Sequence, residues 1–156
     1  MTPEGPASGM VHLLDVNVLV ALFDPAHLHH DAAHAWFGTE RERGWATCPI
    51  TQNGFLRVLS NPAYPGRRTP VADAAGRLRL FLASAGHVFW PDDASLVDEG
   101  LVSVGHLAGH REITDAYLLA LAVKRKGRLA TFDRNLRLAA VRGAEASHVT
   151  VVAVGV

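Results

Sequence analysis

Cysteine is almost absent from this chain, because Cys48 is the single one among 156 residues. One thiol forms no internal disulfide, so the composition excludes a disulfide-stapled fold and favours a reducing compartment such as the cytoplasm. Long apolar runs are missing too, since no stretch approaches the roughly 18 residues that a membrane span requires. We therefore expect a cytoplasmic protein without a membrane segment.

An excess of charge of one sign is also lacking. Fifteen basic and fifteen acidic residues cancel to a formal net charge of zero. No global positive field then attracts nucleic acid, and any contact with RNA requires a local basic patch. Neutrality by itself neither supports nor excludes an RNA substrate.

What the chain does have is enough apolar material for one core. Hydrophobic residues make up 49% of the sequence, and the length suits a single domain better than two. Residues 1–9 are dominated by Pro, Gly and small polar residues, which is typical of a flexible leader. We expect a leader over 1–9 and one domain over 10–156.

Short apolar runs alternate with longer periodic stretches from residue 10 onward, as in strands and crossover helices of a parallel sheet. The predicted strands are 11–14, 46–49, 87–90, 128–132 and 149–154. The predicted helices are 16–23, 31–41, 52–59, 71–85, 96–104 and 114–126, with a short one near 136–141. The pattern predicts an α/β fold with a central five-stranded parallel sheet and about seven flanking helices.

Acidic residues follow two of the predicted strands. Asp15 comes directly after the first strand, Asp133 after the fourth, and Asp115 opens the sixth helix. The carboxyl ends of parallel strands form one edge, where ligands bind. Three carboxylates in one place repel each other unless a cation offsets their charge. Oxygen ligands without a matching Cys or His set indicate Mg²⁺ or Mn²⁺, which suits phosphodiester hydrolysis.

Each acid also has a purely structural interpretation. Asp15 is placed to cap the helix that follows it, and Asp115 to stabilise the N-terminal end of its own helix, where Thr114 is a candidate N-cap. Asp133 can start a turn before Arg134. Taken together the three favour a site, because independent caps need not fall at one edge of one sheet.

Three segments resemble the acidic motifs of PIN-domain proteins, in particular the toxins of VapBC-type toxin–antitoxin pairs. They are LLDVNVLVAL from Leu13, ITDAYLLALA from Ile113 and LATFDRNL from Leu129. The resemblance implies a three-layer α/β fold, metal-dependent endoribonuclease activity on RNA, neutralisation by a small VapB-type antitoxin, and a homodimer. It also implies that Asp15, Asp115 and Asp133 bind Mg²⁺ or Mn²⁺, with Asn17 and Thr114 in support.

The chain departs from that family at Gln52, where the family usually has a catalytic Glu. The amide keeps the shape but loses the charge, and its oxygen is a poorer ligand for a hard cation. Three interpretations stay open: a natural weakening of the site, a deliberate inactivation, or a loss compensated by Glu112. A surface role for Gln52 in a mis-registered motif is a further alternative.

Other polar side chains are weaker candidates. Arg57, Arg111 and Arg134 lie near Gln52, Asp115 and Asp133 in the sequence, so they are candidates for holding phosphate or an antitoxin carboxylate. His30 and His34 have a spacing that places both rings on one helical face, but without the neighbouring Glu of a zincin. We expect them, with His27 and His29, to form an exposed polar cluster, and His106 and His110 to face solvent.

Apolar side chains raise the question of assembly. Trp36, Phe37, Trp45 and Trp90 are predicted to fill the core. A second set on the third and fourth helices is predicted to leave an apolar face exposed for a homodimer: Leu56, Leu59, Leu78, Phe81 and Leu82.

Two other functions remain candidates beside the nuclease. A catalytically weak module that binds antitoxin or RNA without cutting is favoured by Gln52. A phosphatase with Asp15 as nucleophile is disfavoured, because Asn17 stands where such enzymes carry a second Asp.

Overall fold

The computed structural model describes residues 11–152, so the predicted leader over 1–9 and the end of the last predicted strand lie outside the described residues. The structure has five strands: β1 (His12–Leu14), β2 (Trp45–Thr47), β3 (His87–Phe89), β4 (Arg128–Thr131) and β5 (Val149–Val151). They form one parallel sheet in the order β3-β2-β1-β4-β5. The predicted α/β fold with a parallel sheet is confirmed, and each strand is slightly shorter than predicted.

The first strand of the chain lies at the centre of the sheet. Leu13 pairs with Ala46 of β2 on one side and with Leu129 of β4 on the other. Leu13 and Leu14 are both fully buried, because alternate side chains of a strand point to opposite faces and both faces are covered. This arrangement brings the carboxyl ends of β1 and β4 side by side.

Five α-helices cover the two faces within residues 11–152. They are α1 (Val16–Phe23), α2 (His30–Glu40), α3 (Pro49–Ser60), α4 (Val71–Leu82) and α5 (Ile113–Lys124). Residues of α1 to α4 share one apolar core with Leu14, while α5 and the segment around Val102 share the other with Leu13. The expectation of about seven helices is therefore slightly too high.

The predicted helix over 96–104 is wrong. Turns occupy most of this segment, and the Asp98 carboxylate accepts the Gly100 backbone N–H at 2.9 Å, which is a turn interaction that competes with a helix. Val102 forms an antiparallel bridge with Val141, so its apolar side chain is buried by pairing across the core. The predicted short helix near 136–141 is a 3₁₀ turn at Leu138–Ala140.

The aromatic core is largely as predicted. Trp45, Trp90 and Phe37 are buried, and Trp36 packs half-buried with its ring edge-on to His12. The prediction that the third and fourth helices leave an apolar face exposed is wrong, because these helices, α3 and α4, pack that face on the core. Leu59 and Leu78 are buried, and the other three of that set are half-buried: Leu56, Phe81 and Leu82.

Cys48 is buried between β2 and α3, and burial raises the pKa of its thiol. Within residues 11–152, the helices are all too short or too polar to cross a membrane.

Candidate active site

Asp15 is the best-anchored acid at the carboxyl edge. It follows β1, and one carboxylate oxygen accepts the Val16 backbone N–H at 2.7 Å, so Asp15 caps α1. The other oxygen accepts the hydroxyl proton of Thr131, at 2.8 Å, from the end of β4. Only 8% of the residue is exposed, and this burial raises the pKa of Asp15 against the opposing effect of both hydrogen bonds. The capping role is therefore real, and it also fixes the carboxylate.

Thr131 links this acid to the next one. Its oxygen accepts the backbone N–H of Asp133 at 3.1 Å, just beyond the end of β4. The Asp133 carboxylate in turn accepts the Asn135 backbone N–H at 2.8 Å, so the predicted turn interaction is also present. One threonine thus ties the ends of the two central strands together.

Asp115 completes the acidic group from the opposite layer. It lies in the first turn of α5 and is half-buried. Burial, the charges of Asp15 and Asp133, and a hydrogen bond with Asp133 raise the pKa of Asp115 to about 6. Burial is the largest of these causes, and the contributions of Asp15 and Asp133 require those carboxylates to lie nearby, so acids from three separate segments lie at one edge of the sheet.

A cavity of about 240 Å³ opens beside Asp115 and Asp133. Arg111 and Arg137 line it on the basic side, and Asn135 adds an amide. The sequence pattern indicated Arg111 but not Arg137, whose place four residues after Asp133 was the available signal. Arg57 and Arg134 are exposed and do not line this cavity.

Gln52 lies in the first turn of α3 and belongs to a short polar chain. Its amide nitrogen donates to the Thr47 hydroxyl at 3.0 Å, and that oxygen is 2.7 Å from Nε2 of His87. Compensation by Glu112 is not favoured, because both oxygens of that carboxylate are engaged. One accepts the Ala108 N–H at 2.7 Å and the other pairs with Arg137 at 3.0 Å.

The two predicted supporting residues are placed differently from expectation. Thr114 is not the N-cap of α5, because the helix begins one residue earlier and Glu112 occupies the cap position. Both Thr114 and Asn17 are exposed, and within residues 11–152 neither side chain makes a hydrogen bond to the three acids. Asn17 instead lines a neighbouring groove.

The histidines match the predicted exposed polar cluster only in part, because His34 is exposed whereas the three others are half-buried: His27, His29 and His30. His30 and His34 hydrogen-bond the carbonyl oxygens of Ala21 and Leu22 at 2.7 and 2.8 Å. These carbonyls lie in the last turn of α1, where helix carbonyls lack partners, so the rings cap that end. His106 and His110 are exposed, as predicted.

The donor set at the acidic edge suits a hard cation in chemistry. Its ligands are carboxylate oxygens, and a dication would offset the negative charges of Asp15 and Asp133 that, after burial, raise the pKa of Asp115. Within the described part of the chain, however, no group of three or more His, Cys, Asp or Glu side chains is close enough to form a metal site. Water molecules would have to complete the coordination, as is usual for Mg²⁺.

The fold and this edge define a parallel α/β protein with an acidic centre, and comparison with known proteins agrees. The family model of the PIN domain matches residues 12–142. The chain is 46% identical over 140 residues to ribonuclease VapC44 of Mycobacterium tuberculosis, covering 90% of this chain and 98% of that protein. Ribonuclease VapC39 of the same organism is 44% identical over 134 residues, covering 86% and 96%. Ribonuclease VapC38 is 47% identical over 121 residues, covering 78% and 84%. The chain belongs to the PIN-domain family, among its VapC-type toxins.

Proposed function

We propose that this protein is a metal-dependent endoribonuclease, the toxin of a type II toxin–antitoxin pair. The observation that carries the proposal is the group of three carboxylates from separate segments at one edge of the sheet, where Thr131 links Asp15 to Asp133. Burial first, and then the charges of the two other acids, raise the pKa of Asp115 to about 6. Its VapC relatives from M. tuberculosis are named ribonucleases, which favours RNA as the substrate.

In this proposal the three acids hold the cation. Asp15 is held rigidly by Val16 and Thr131, so it presents a carboxylate in one orientation. With Asp115 and Asp133 it would hold Mg²⁺ or Mn²⁺. When bound, such a cation makes water a better nucleophile and offsets the negative charge that grows on the phosphate.

The cavity beside the acids supplies the phosphate contacts. Arg111, Arg137 and Asn135 line it together with Asp115 and Asp133. A guanidinium donates paired hydrogen bonds to phosphate oxygens, and an amide adds a neutral donor. These groups would position the RNA backbone against the carboxylates, while Arg57 and Arg134 serve RNA or antitoxin at more distant positions.

The partners follow from the same assignment. A VapB-type antitoxin would neutralise the protein in the cytoplasm by covering the acidic edge, and a homodimer is the expected assembly. Exposed apolar side chains on α4, including Leu80 at 77% exposure, are available for such contacts.

The decisive experiment is RNA cleavage with and without Mg²⁺ or Mn²⁺. We expect cleavage by the wild type to be weak and by Gln52→Glu to be at least about tenfold faster, because one added carboxylate near a cation is worth several kcal/mol before desolvation. Asp115→Asn in the Gln52→Glu background is the matched control and should be inactive. A folded Gln52→Glu protein that cleaves no RNA in either metal contradicts the proposal.

A second candidate function is a binding module that holds RNA or antitoxin without cutting. Gln52 favours it, because the amide donates to Thr47 and adds no negative charge to the edge. Calorimetric titration with Mn²⁺ separates the two functions. Binding that disappears in Asp15→Ala supports the enzyme, and the absence of binding in both proteins supports the module.

A further inference from the structure

A second groove of about 500 Å³ adjoins the acidic edge on the side of α1. Asn17, only two residues beyond Asp15, lies at one end of it with its amide exposed. His27 and Leu28 of the loop between α1 and α2 line it from one segment, and Tyr64 lines it from the segment after α3. Leu28 is 88% exposed, so this apolar side chain projects freely at the rim.

The lining formed by the loop is aromatic and reaches the active edge. The ring of His27 stacks on Phe132 at 6.4 Å with an interplanar angle of 20°. Phe132 stands between Thr131 and Asp133, so the stack lies at the carboxyl end of β4. The His29 backbone N–H donates to Nδ1 of His27 at 3.0 Å, which leaves the proton of the neutral ring on Nε2. The imidazole therefore offers a flat face and one N–H donor.

Tyr64 is held in place by a hydrogen bond from its hydroxyl to the Asp24 carboxylate. Burial and this bond raise the pKa of Tyr64, so its hydroxyl stays protonated, while the same bond lowers the pKa of Asp24. Asp24 also accepts the Ala26 N–H at 2.9 Å, which fixes the start of the loop. Both segments that line the groove are thus anchored to one carboxylate.

Beyond Tyr64 the groove continues into a basic stretch. An adjoining cavity of about 600 Å³ shares Asp24 and Tyr64 and is lined by Arg67, Arg68 and Arg77. All three arginines are exposed, and within residues 11–152 none forms an ion pair. They outnumber the two aspartates on the same lining, Asp24 and Asp73. The lining therefore carries an excess of one positive charge in a chain whose net charge is zero.

We propose that this continuous groove binds a single-stranded segment of RNA beside the cleavage site. A nucleobase stacks against the rings of His27 and Tyr64 and hydrogen-bonds the Asn17 amide, and the following phosphates contact the arginines. Flat rings with neutral hydrogen-bonding groups suit a base, and exposed arginines further along the groove suit phosphates. The inference rests on the proposed function for its substrate class, but it assigns separate residues.

The first test measures RNA binding without cleavage, by fluorescence anisotropy of a labelled single-stranded RNA in EDTA. Arg67→Gln with Arg68→Gln should weaken binding and reduce the slope of log affinity against log salt by about 0.7 for each phosphate that is no longer neutralised. Arg77→Gln should do the same, while Arg79→Gln on the same helix is the matched control and should leave both values unchanged.

The second test addresses the aromatic rings. Tyr64→Ala should weaken RNA binding about tenfold, because a stacking face is lost. Tyr64→Phe keeps the ring and should bind within about twofold of wild type, although it loses the bond to Asp24. Thermal melts identify any variant that loses its fold. If Tyr64→Ala is such a variant, His27→Gln takes its place, because it replaces an aromatic ring of the groove with a chain of similar polarity.

Two outcomes overturn the inference. Unchanged RNA affinity in the folded arginine and Tyr64→Ala variants removes it, even if the protein cleaves RNA. Competition by oligo-glutamate that depends on Arg67 and Arg68 but not on Tyr64 assigns the groove to an acidic protein partner instead. Because binding is measured without metal, loss of binding in the variants would stand even if no cleavage were found.

Discussion

The hydroxyl group of Thr131 donates a hydrogen bond of 2.8 Å to the buried carboxylate of Asp15, which lies 116 residues earlier in the chain. The same oxygen accepts the backbone N–H of Asp133 at 3.1 Å. A hydroxyl donates one proton and accepts through its lone pairs, so Thr131 uses both capacities at once. It joins two acids of the edge without a charge of its own.

Replacement of Thr131 therefore tests how the edge is held together. Thr131→Val keeps the shape but leaves the buried Asp15 oxygen without its donor, so the free energy of unfolding should fall by about 1 to 3 kcal/mol. Thr131→Ser retains the hydroxyl and should lose less. Urea unfolding at neutral pH measures both, and a Val variant as stable as wild type contradicts this role.

Gln52→Glu should change the protonation of a histidine on β3. The amide nitrogen of Gln52 donates to Thr47, so the Thr47 proton is free for Nε2 of His87. Burial lowers the pKa of His87, consistent with a neutral ring. A Glu at this position accepts the Thr47 proton instead, and the hydroxyl oxygen then accepts N–H from the ring.

The pKa of His87 should accordingly rise by about one unit in Gln52→Glu, which corresponds to about 1.4 kcal/mol in favour of the protonated ring. An NMR titration of the ring protons measures it. Thr47→Val in the Gln52→Glu background removes the connecting hydroxyl and should cancel most of the rise. An identical His87 pKa in wild type and Gln52→Glu would show that the chain of hydrogen bonds carries no coupling.

The sheet was predictable from the sequence, whereas details of the loops were not. Strands such as Arg128–Thr131 are short apolar runs bounded by breakers, and that signal is local. The stretch 96–104 has helix-compatible residues, but the conformation at Val102 is set by its bridge to Val141, which is distant in the chain. The hydrogen-bond partners of His30 and His34 were missed for a related reason, because they are carbonyls of the preceding helix.

Because α1 and α3 approach closely, we expect alanine substitutions at two glycines to have different effects on stability. A Cβ at Gly54 would collide with the side chain of Val16, so Gly54→Ala should cost about 1 to 3 kcal/mol in strain, at or above the roughly 1 kcal/mol that alanine gains in a helix. At Gly76 in α4 a Cβ meets nothing within 4 Å, so Gly76→Ala should stabilise the protein. Denaturant midpoints of the two variants should move in opposite directions.

Because of His12, we expect the protein to lose stability in mild acid. Burial is the main cause that lowers the pKa of this histidine from 6.5 to about 4. Between these pH values the unfolded chain binds a proton that the folded chain does not, so stability falls as the pH drops through this range. The full effect is about 3 kcal/mol at most.

Comparison with His12→Leu isolates this contribution. The variant loses the hydrogen bond between His12 and Thr150 and starts from a lower stability, but its stability should change less between pH 6.5 and 4. Urea unfolding across this range measures the slopes, in which all other titrating groups cancel. Equal slopes for the two proteins would show that His12 is protonated in the fold.

At the candidate site, the sequence predicted that the acids lie at one edge but did not predict their surroundings. Asp15 and Asp133 were predicted at one edge because both follow strands of a parallel sheet. The sequence did not indicate Arg137, because its position at the cavity depends on an ion pair with Glu112 across a loop. The placement of Asn17 in a separate groove depends on how the loop after α1 folds over Phe132, which no local pattern encodes.

The position of β1 at the centre of the sheet has a consequence for synthesis. β1 is made before the other strands of the sheet, yet one of its two neighbours is β4, and Leu129 of β4 can pair with Leu13 only after the intervening chain has been translated. A nascent polypeptide therefore carries Asp15 apart from Asp115 and Asp133 until those later segments have been made. The acidic edge forms late, when the first and fourth strands come together.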